Sequence, residues 1–406
     1  MSVNTMSFKQ ISSVLTSIVK QATGRSVETP TDTGSFVSVG QIALNADRDK
    51  VFNAITELIG KTMFSYRPYN AVLEGLYMDT FRWGNIMRKL SICDEDWQDD
   101  PAFAYPVFYD ANQTPPTGNG QSVDMWKIKK PNVLQTNFYG QSVYFDELTI
   151  FERQLETAFR SPDELGQFLT MVLTKLNNRI ELSNEGIKRG LCCNMIGSLV
   201  KENDTTRVVK LLTMYNSQTG LSLTKEDVYK PDNFPAFVKW AYAVIEDYSD
   251  MFKQESLEFQ TTITGKPVLR NTPKDKQKVY LSSRFLREIT SRVKADTFHD
   301  TFLTMADVEA ITFWQSITDR DSISVHPAYT DTSGTVVYDN TADSEVEVND
   351  ILGIMFDEDM MGMTVLDRRL LSTIKNTRGE YRNLHFHASQ RCVFDNTEKG
   401  VVFLLQ

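Results

Sequence analysis

Near the end of the chain, hydrophobic and polar residues alternate. Leu384, Phe386, Ala388, Cys392 and Phe394 share one side of a period of two; Tyr381, Asn383, His385, His387, Ser389 and Arg391 share the other. Gln390 is the polar break in the apolar set. Such a period predicts a strand with one buried face. Asp395-Asn396-Thr397-Glu398-Lys399-Gly400 reads as a hairpin turn. Val401 to Leu405 is apolar on both faces, which predicts a fully buried strand. A compact apolar run, Ile351 to Phe356, precedes these elements and leads into a solvated acidic turn, Asp357-Glu358-Asp359.

Upstream the period changes. A short amphipathic helix is predicted over Phe8 to Val19, and Thr23 to Gly40 reads as an extended arm. Asn45-Ala46-Asp47 can cap a helix carrying Val51, Phe52, Ile55, Leu58 and Ile59. Leu73 to Ile92 reads as helix turning into strand. Two strand-like arms, Phe103 to Tyr109 and Val123 to Tyr144, flank a loop of breakers from Thr114 to Gly120. They carry Phe103, Tyr105, Phe108, Tyr109, Trp126, Phe138 and Tyr139. An isolated hairpin is marginal in water, so these rings are the candidate contacts to a partner.

Ser161-Pro162-Asp163-Glu164 is a strong helix start. Apolar residues follow at helical spacing from Leu165 to Met195. Unbroken to Leu199, the helix would be about 57 Å long at roughly 1.5 Å per residue. Gly186 and Gly190 are its candidate bends, and the helix serves as a spine. Pro231 to Pro235 opens another helix, with Phe237, Trp240, Ala241 and Val244 inward. Phe259 to Leu269 and Val279 to Leu281 read as strands, and Ser282 or Ser283 caps a helix with Phe285 and Leu286.

Composition narrows the classes. At 406 residues the chain is long enough for two or three lobes, and its 41% hydrophobic content is globular. A net charge of -10 argues against a sequence-reading nucleic-acid protein. No apolar run approaches the ~20 residues of a membrane helix. Met1 to Lys20 has no signal-peptide core. Cys93, Cys192, Cys193 and Cys392 match neither a disulfide framework nor a zinc site, which fits folding in a reducing cytoplasm.

Candidate chemistry is sparse. His385 and His387 sit two apart on one strand face and could share a metal, but no third histidine is near. The acidic run Asp94 to Asp100 lacks the glycine and closing glutamate of a calcium loop. Gly118-Asn119-Gly120 lacks the end of a phosphate loop, and neither G-x-S-x-G nor HExxH occurs. Cys192-Cys193 reads as helix packing. Lys127, Lys129 and Lys130 beside Trp126 read as a solvated or subunit-facing strand.

The order of arm, projecting hairpin, spine helix, α/β lobe and returning strands resembles the major capsid protein of tailed bacteriophages, the Hong Kong 97-like fold. The similarity is nearest to the short-tailed phages related to phi-twenty-nine and the small staphylococcal phages. It is carried by Lys130-Pro131-Asn132-Val133 through Phe138-Tyr139-Gly140, by Leu148-Thr149-Ile150, by Leu155 to Ser161, and by Ile374 to Tyr381. The resemblance implies an α+β subunit without enzyme activity, metal or cofactor. It implies an N-terminal arm over residues 1–100, an extended loop over 101–149 and a peripheral domain with the spine helix over 150–230. An axial domain over 231–345 and a C-terminal peripheral sheet over 346–406 complete it. No appended immunoglobulin-like domain is expected after the last strand. The implied partners are further copies of the chain in hexamers and pentamers, scaffolding and portal proteins, and packaged double-stranded DNA held without sequence specificity. The implied location is the virion, after assembly in the bacterial cytoplasm. The acidic balance agrees, because a wall that bound DNA tightly would hinder packaging. The rival readings are a tail or connector protein and a metal-dependent enzyme using His385 and His387.

Overall fold

The computed structural model describes residues 8–45, 50–51, 54, 73–76, 86–93, 124–126, 128, 130–139, 142–151, 153–154, 161–202, 205–287 and 308–406. Two sheets and one long helix organise them. The helix runs unbroken from Pro162 to Glu202, 41 residues, about 61 Å at 1.5 Å per residue. Asp163 and Glu164 stand in its first turn, where the helix dipole favours acids.

The spine helix touches two cores. Its early part contributes Leu165 and Ile180 to a first core, with Leu384, Phe386 and Ala388 of strand β13 (Tyr381–Phe394). Helices Phe8–Thr23 and Thr33–Asn45 close that core with Leu15, Ile18, Phe36 and Val39. Its later part contributes Leu191, Met195, Ile196 and Leu199 to a second core. The expected helix beginning near Asn45 is described only at residues 50, 51 and 54, where Val51 and Ala54 are buried in the first core. Side chains 166–177, half of the expected spine stripe, lie outside the described ones.

The second core lies on one face of a five-stranded mixed sheet. Its strands are β4 (Val208–Lys210), β5 (Gln277–Ser282), β6 (Val308–Ile311), β11 (Ile351–Asp357) and β14 (Gly400–Leu404), ordered β4-β14-β11-β5-β6. Ile354, Phe356, Val402 and Leu404 face the spine helix. Leu352, Met355, Val401 and Phe403 face helices Leu211–Thr219 and Phe234–Phe252 in a third core. The sheet is therefore a middle layer, which is why β11 and β14 are apolar on both faces.

A second sheet is antiparallel, ordered β12-β13-β3, from Met361–Ser372, Tyr381–Phe394 and Ser142–Phe151. A third, β1 (Ile86–Ile92) with β2 (Val133–Tyr139), is a two-stranded ribbon in full register from Ile86↔Tyr139 to Ile92↔Val133. Small pairs β7–β10 and β8–β9 flank the spine helix, from Ile323–Val325 with Val346–Val348 and Ala328–Thr330 with Val336–Tyr338.

Several sequence expectations change. β13 and β14 do not pair as a hairpin; they lie in different sheets, and the turn between them carries the chain across. Thr33 to Gly40 is helical rather than extended. Phe36, Val39 and Ala43 recur on one side and pack on the first helix, and Asp32 caps the start by accepting from Ser35 N at 2.8 Å. Phe259 to Leu269 forms turns with isolated bridges rather than a strand. Cys392 is exposed and Val393 is buried, the reverse of the alternation. The buried face changes at Gln390 and Arg391, where both are covered. Gln390 donates from Nε2 to Asn184 Oδ1 of the spine helix at 2.5 Å, so its buried amide nitrogen has a partner inside. Asp357 is buried rather than solvated and accepts from Thr272 Oγ1 at 2.6 Å.

Candidate functional site

The turn joining the two large sheets is a densely bonded, buried polar feature. Asp395, Asn396, Thr397, Glu398 and Lys399 are each no more than 5% exposed. Turn residues of this type normally stand in water, so each polar atom here needs a protein partner. The partners come from across the chain. Asn396 donates to Thr330 O at 2.7 Å and to Glu202 at the end of the spine helix at 2.5 Å, and accepts from Thr330 N at 3.0 Å. Fully buried Arg207 donates to Asn396 O at 3.2 Å, Thr261 Oγ1 at 2.7 Å and Gly400 O at 3.2 Å, and pairs with Glu202 at 2.9 Å. Lys399 donates to Gln254 O at 2.7 Å, Ser256 Oγ at 3.0 Å and Phe252 O at 3.4 Å, and so satisfies carbonyls at the C-terminal end of helix Phe234–Phe252.

The acidic side of the turn reaches the ribbon. Lys89 of β1 pairs with Asp395 at 2.7 Å and with Glu398. Arg270 also pairs with Glu398, at 2.5 Å, and donates to Thr397 Oγ1. Burial works to raise the Asp395 carboxyl, but the Lys89 charge and the Thr397 hydrogen bonds outweigh it and hold it below its ordinary value. At Glu398 burial wins over Lys89 and Arg270, and the carboxyl sits above its ordinary range. Burial also raises Asp357, and it lowers the Lys399 amine. Four cations (Lys89, Arg207, Arg270 and Lys399) and four acids (Glu202, Asp357, Asp395 and Glu398) are thus gathered around one turn. The arrangement fastens elements together, and its chemistry is mechanical.

The ribbon is the other candidate. Met87, Lys89 and Ser91 are half-buried on one side of β1, while Leu90 and Ile92 stand 63% and 68% exposed on the other. Of the expected contact residues, Phe138 is half-buried on β2 opposite Met87, and Tyr139 is in β2 opposite Ile86. Trp126 lies in a turn, 81% exposed, between Met125 and the equally bare Ile128. Phe103, Tyr105, Phe108 and Tyr109 lie outside the described residues. The structure thus puts Phe138 and Tyr139 on one ribbon and leaves Trp126 apart from them in sequence and element.

Histidines 385 and 387 are half-buried on the outer face of the three-stranded sheet. The Phe145 ring lies 5.3 Å from His385 and 5.2 Å from His387. Among the described residues no group of three or more histidine, cysteine, aspartate or glutamate side chains is placed to hold a metal ion. His385→Gln together with His387→Gln should leave assembly unchanged, as should a chelator. One equivalent of transition metal per chain in the purified protein would contradict that. Cys192 and Cys193 are buried in the spine helix, and burial pushes the Cys193 thiol up to about 12, as expected of packing residues.

Sequence reasoning missed Lys89, Glu202, Arg207, Thr261 and Arg270. Lys89 and Glu398 stand 309 positions apart, and no spacing rule connects them. The one local signal was the density of polar residues in a turn closing on a fully apolar strand.

A five-stranded sheet layered between the spine helix and two shorter helices, with a three-stranded sheet and a two-stranded ribbon attached, is the α+β fold of a phage capsid subunit. The chain belongs to the Phi29-like phage major capsid protein family, whose model matches residues 15–404. A chain in the capsid structure of Staphylococcus phage Andhra is similar at a TM-score of 0.52 and 10% identity, over 84% of this chain and 86% of that one. A chain in the structure of head fiber and inner core protein gp22 of native bacteriophage P68 is similar at 0.50 and 11%, over 83% and 86%. At such identities these are likenesses of fold. No curated protein matches the sequence. The protein is a structural component of the virion that assembles with itself into a capsid, and its family is one of shell proteins rather than enzymes. No helix among the described residues is long and apolar enough to cross a membrane.

Proposed function

We propose that this capsid protein forms the hexamers and pentamers of an icosahedral shell around double-stranded DNA, and that its ribbon and the loop beyond it clasp a neighbouring subunit. The observation that carries the clasp is the bare apolar side of the ribbon. Leu90 and Ile92 are 63% and 68% exposed, and Trp126 and Ile128 are 81% and 83% exposed. Ile92 pairs with Val133, itself 43% exposed, so bare apolar residues adjoin on the ribbon, and such surface marks an interface; rigid rings such as Trp126 supply contact area at low entropy cost. Phe103, Tyr105, Phe108, Tyr109, Trp126, Phe138 and Tyr139 are the proposed contact residues.

The pairing of β1 with β2 supports drawing the projecting element from residue 86 to 139 instead of from 101. The five-stranded sheet, with β11 and β14 in it, is assigned to the axial domain. The spine helix and the three-stranded sheet are assigned to the peripheral domain, and residues before 86 to the arm. Scaffolding and portal proteins are the proposed assembly partners, in the host cytoplasm. DNA is held without sequence reading, in keeping with the net charge of -10.

Replacing residues 111–124 with a tight turn tests the clasp. The shortened subunit should keep its helix content and its melting temperature and lose shell assembly. A subunit that loses stability would place the rings against their own chain. One that folds and still builds normal shells would remove the clasp.

A further inference from the structure

Lys89 joins the two features described above, and neither the capsid role nor the fold requires it to. It is the fourth of seven residues in β1, in the middle of the ribbon's body-facing side. Among the described residues it is the one ribbon side chain ion-paired to the body. Its partners are no ordinary surface acids, since Asp395 and Glu398 are 2% and 5% exposed. The Lys89 ammonium itself is half-withdrawn from water, with its side chain 21% exposed. An ion pair in such a place is screened little by salt and has defined geometry, unlike a solvated one. Among the described residues, the other hydrogen bond from the ribbon base to the body is Asn132 Nδ2 to Gly265 O at 3.3 Å, which is exposed. A two-stranded ribbon has little rigidity of its own and needs a fixed point to leave the body at one angle.

We propose that Lys89 is the positioning residue of the ribbon, anchoring β1 to the buried Asp395–Glu398 pair and so setting the angle at which the ribbon leaves the subunit. The turn that receives it is itself fixed on four sides. Arg207 and Glu202 hold it to the spine helix, Thr330 to β8, Lys399 to helix Phe234–Phe252, and Asp357 N donates to Lys399 O at 2.9 Å from β11. The ribbon therefore takes its bearing from a junction of both large sheets and the end of the spine helix. Arg270 remains on Glu398 when Lys89 is removed, so the anchor can be cut without stripping the turn of every cation. The importance of the angle for shells rests on the clasp reading; the anchor itself does not.

The test uses the full chain. Lys89→Met keeps the aliphatic stem but leaves Asp395 buried without its cation, so it is paired with Lys89→Met/Asp395→Asn, which removes one charge of each sign. Amide hydrogen exchange read by mass spectrometry should speed up about tenfold or more over 86–92 and 133–139 in the double variant, as local opening would produce. Exchange over 351–357 and 400–404 should stay at the wild-type rate. Lys89→Arg, which keeps the charge and can reach both acids, should restore ribbon protection. Ribbon exchange at the wild-type rate in the double variant overturns the anchor, whatever the shells look like. Equal acceleration over 351–357 also overturns it, because Lys89 would then be a general stabiliser of the body. Faster ribbon exchange with normal shells leaves the anchor standing and sinks the clasp reading.

Discussion

Gly353→Val should yield a chain that does not fold. Gly353 pairs with Leu281 of β5 on one side and Phe403 of β14 on the other, in the centre of the five-stranded sheet. A Cβ at this position would stand 2.7 Å from the Tyr280 carbonyl oxygen and overlap the Leu281 side chain. A side chain can turn away from an intruder, but a carbonyl held in a strand ladder cannot. Ordinary overpacking costs about 1–3 kcal/mol. Parting two central strands goes beyond that and takes a large share of the ~5–15 kcal/mol that stabilises a domain. Soluble yield and the circular dichroism spectrum check it, with Gly353→Ala expected to fail in the same direction. Gly186→Ala is the control. A Cβ there meets nothing within 4 Å on the spine helix, and alanine should gain up to ~1 kcal/mol over glycine. A well-folded Gly353→Val protein would mean that β5 and β11 are not closely apposed at this point.

Arg207→Met should destabilise the subunit by about 3–5 kcal/mol, the cost of stranding a buried charge. Arg207 is fully buried, and Glu202 faces it at 2.9 Å with only 13% of its side chain exposed. Removing the guanidinium takes the cation from that carboxylate and donors from the carbonyls of Asn396 and Gly400 and from the Thr261 hydroxyl. These are the bonds that tie the spine helix and β4 to the crossing turn. Urea denaturation of the full chain measures the loss. Glu202→Leu with Arg207→Leu should recover part of it, because no charge is then left alone. Equal midpoints for wild type and Arg207→Met would show that the junction carries no strain-bearing role.

The two cases mark where sequence reasoning works and where it stops. Alternation from Leu384 to Ala388 and the doubly apolar Val401 to Leu405 are local signals, and both strands were legible. The spine helix was legible from Ser161-Pro162-Asp163-Glu164 at its start and from Ile180, Leu191 and Met195 along it. The turn at 395–400 misled because composition reports polarity and not location. Asp, Asn, Thr, Glu and Lys suit a solvated hairpin and, equally, a buried crossing whose partners come from six distant segments. Thr33 to Gly40 misled because serine, threonine and glycine weaken the local helix signal, while Phe36 and Val39 gain their packing from a helix earlier in the chain. Cys392 misled because alternation assumes one covered face, and beyond Gln390 the strand is covered on the other. The candidate contact rings on the projecting loop were visible as aromatics. Lys89, which holds the ribbon to the body, had nothing in its neighbourhood to distinguish it.

Electron microscopy of the full chain, co-expressed with the assembly partners of its phage, tests the central claim most directly. Closed icosahedral shells of uniform diameter are the expected product. Rings, tubes or a stable monomer at high concentration under those conditions would contradict a shell-forming subunit.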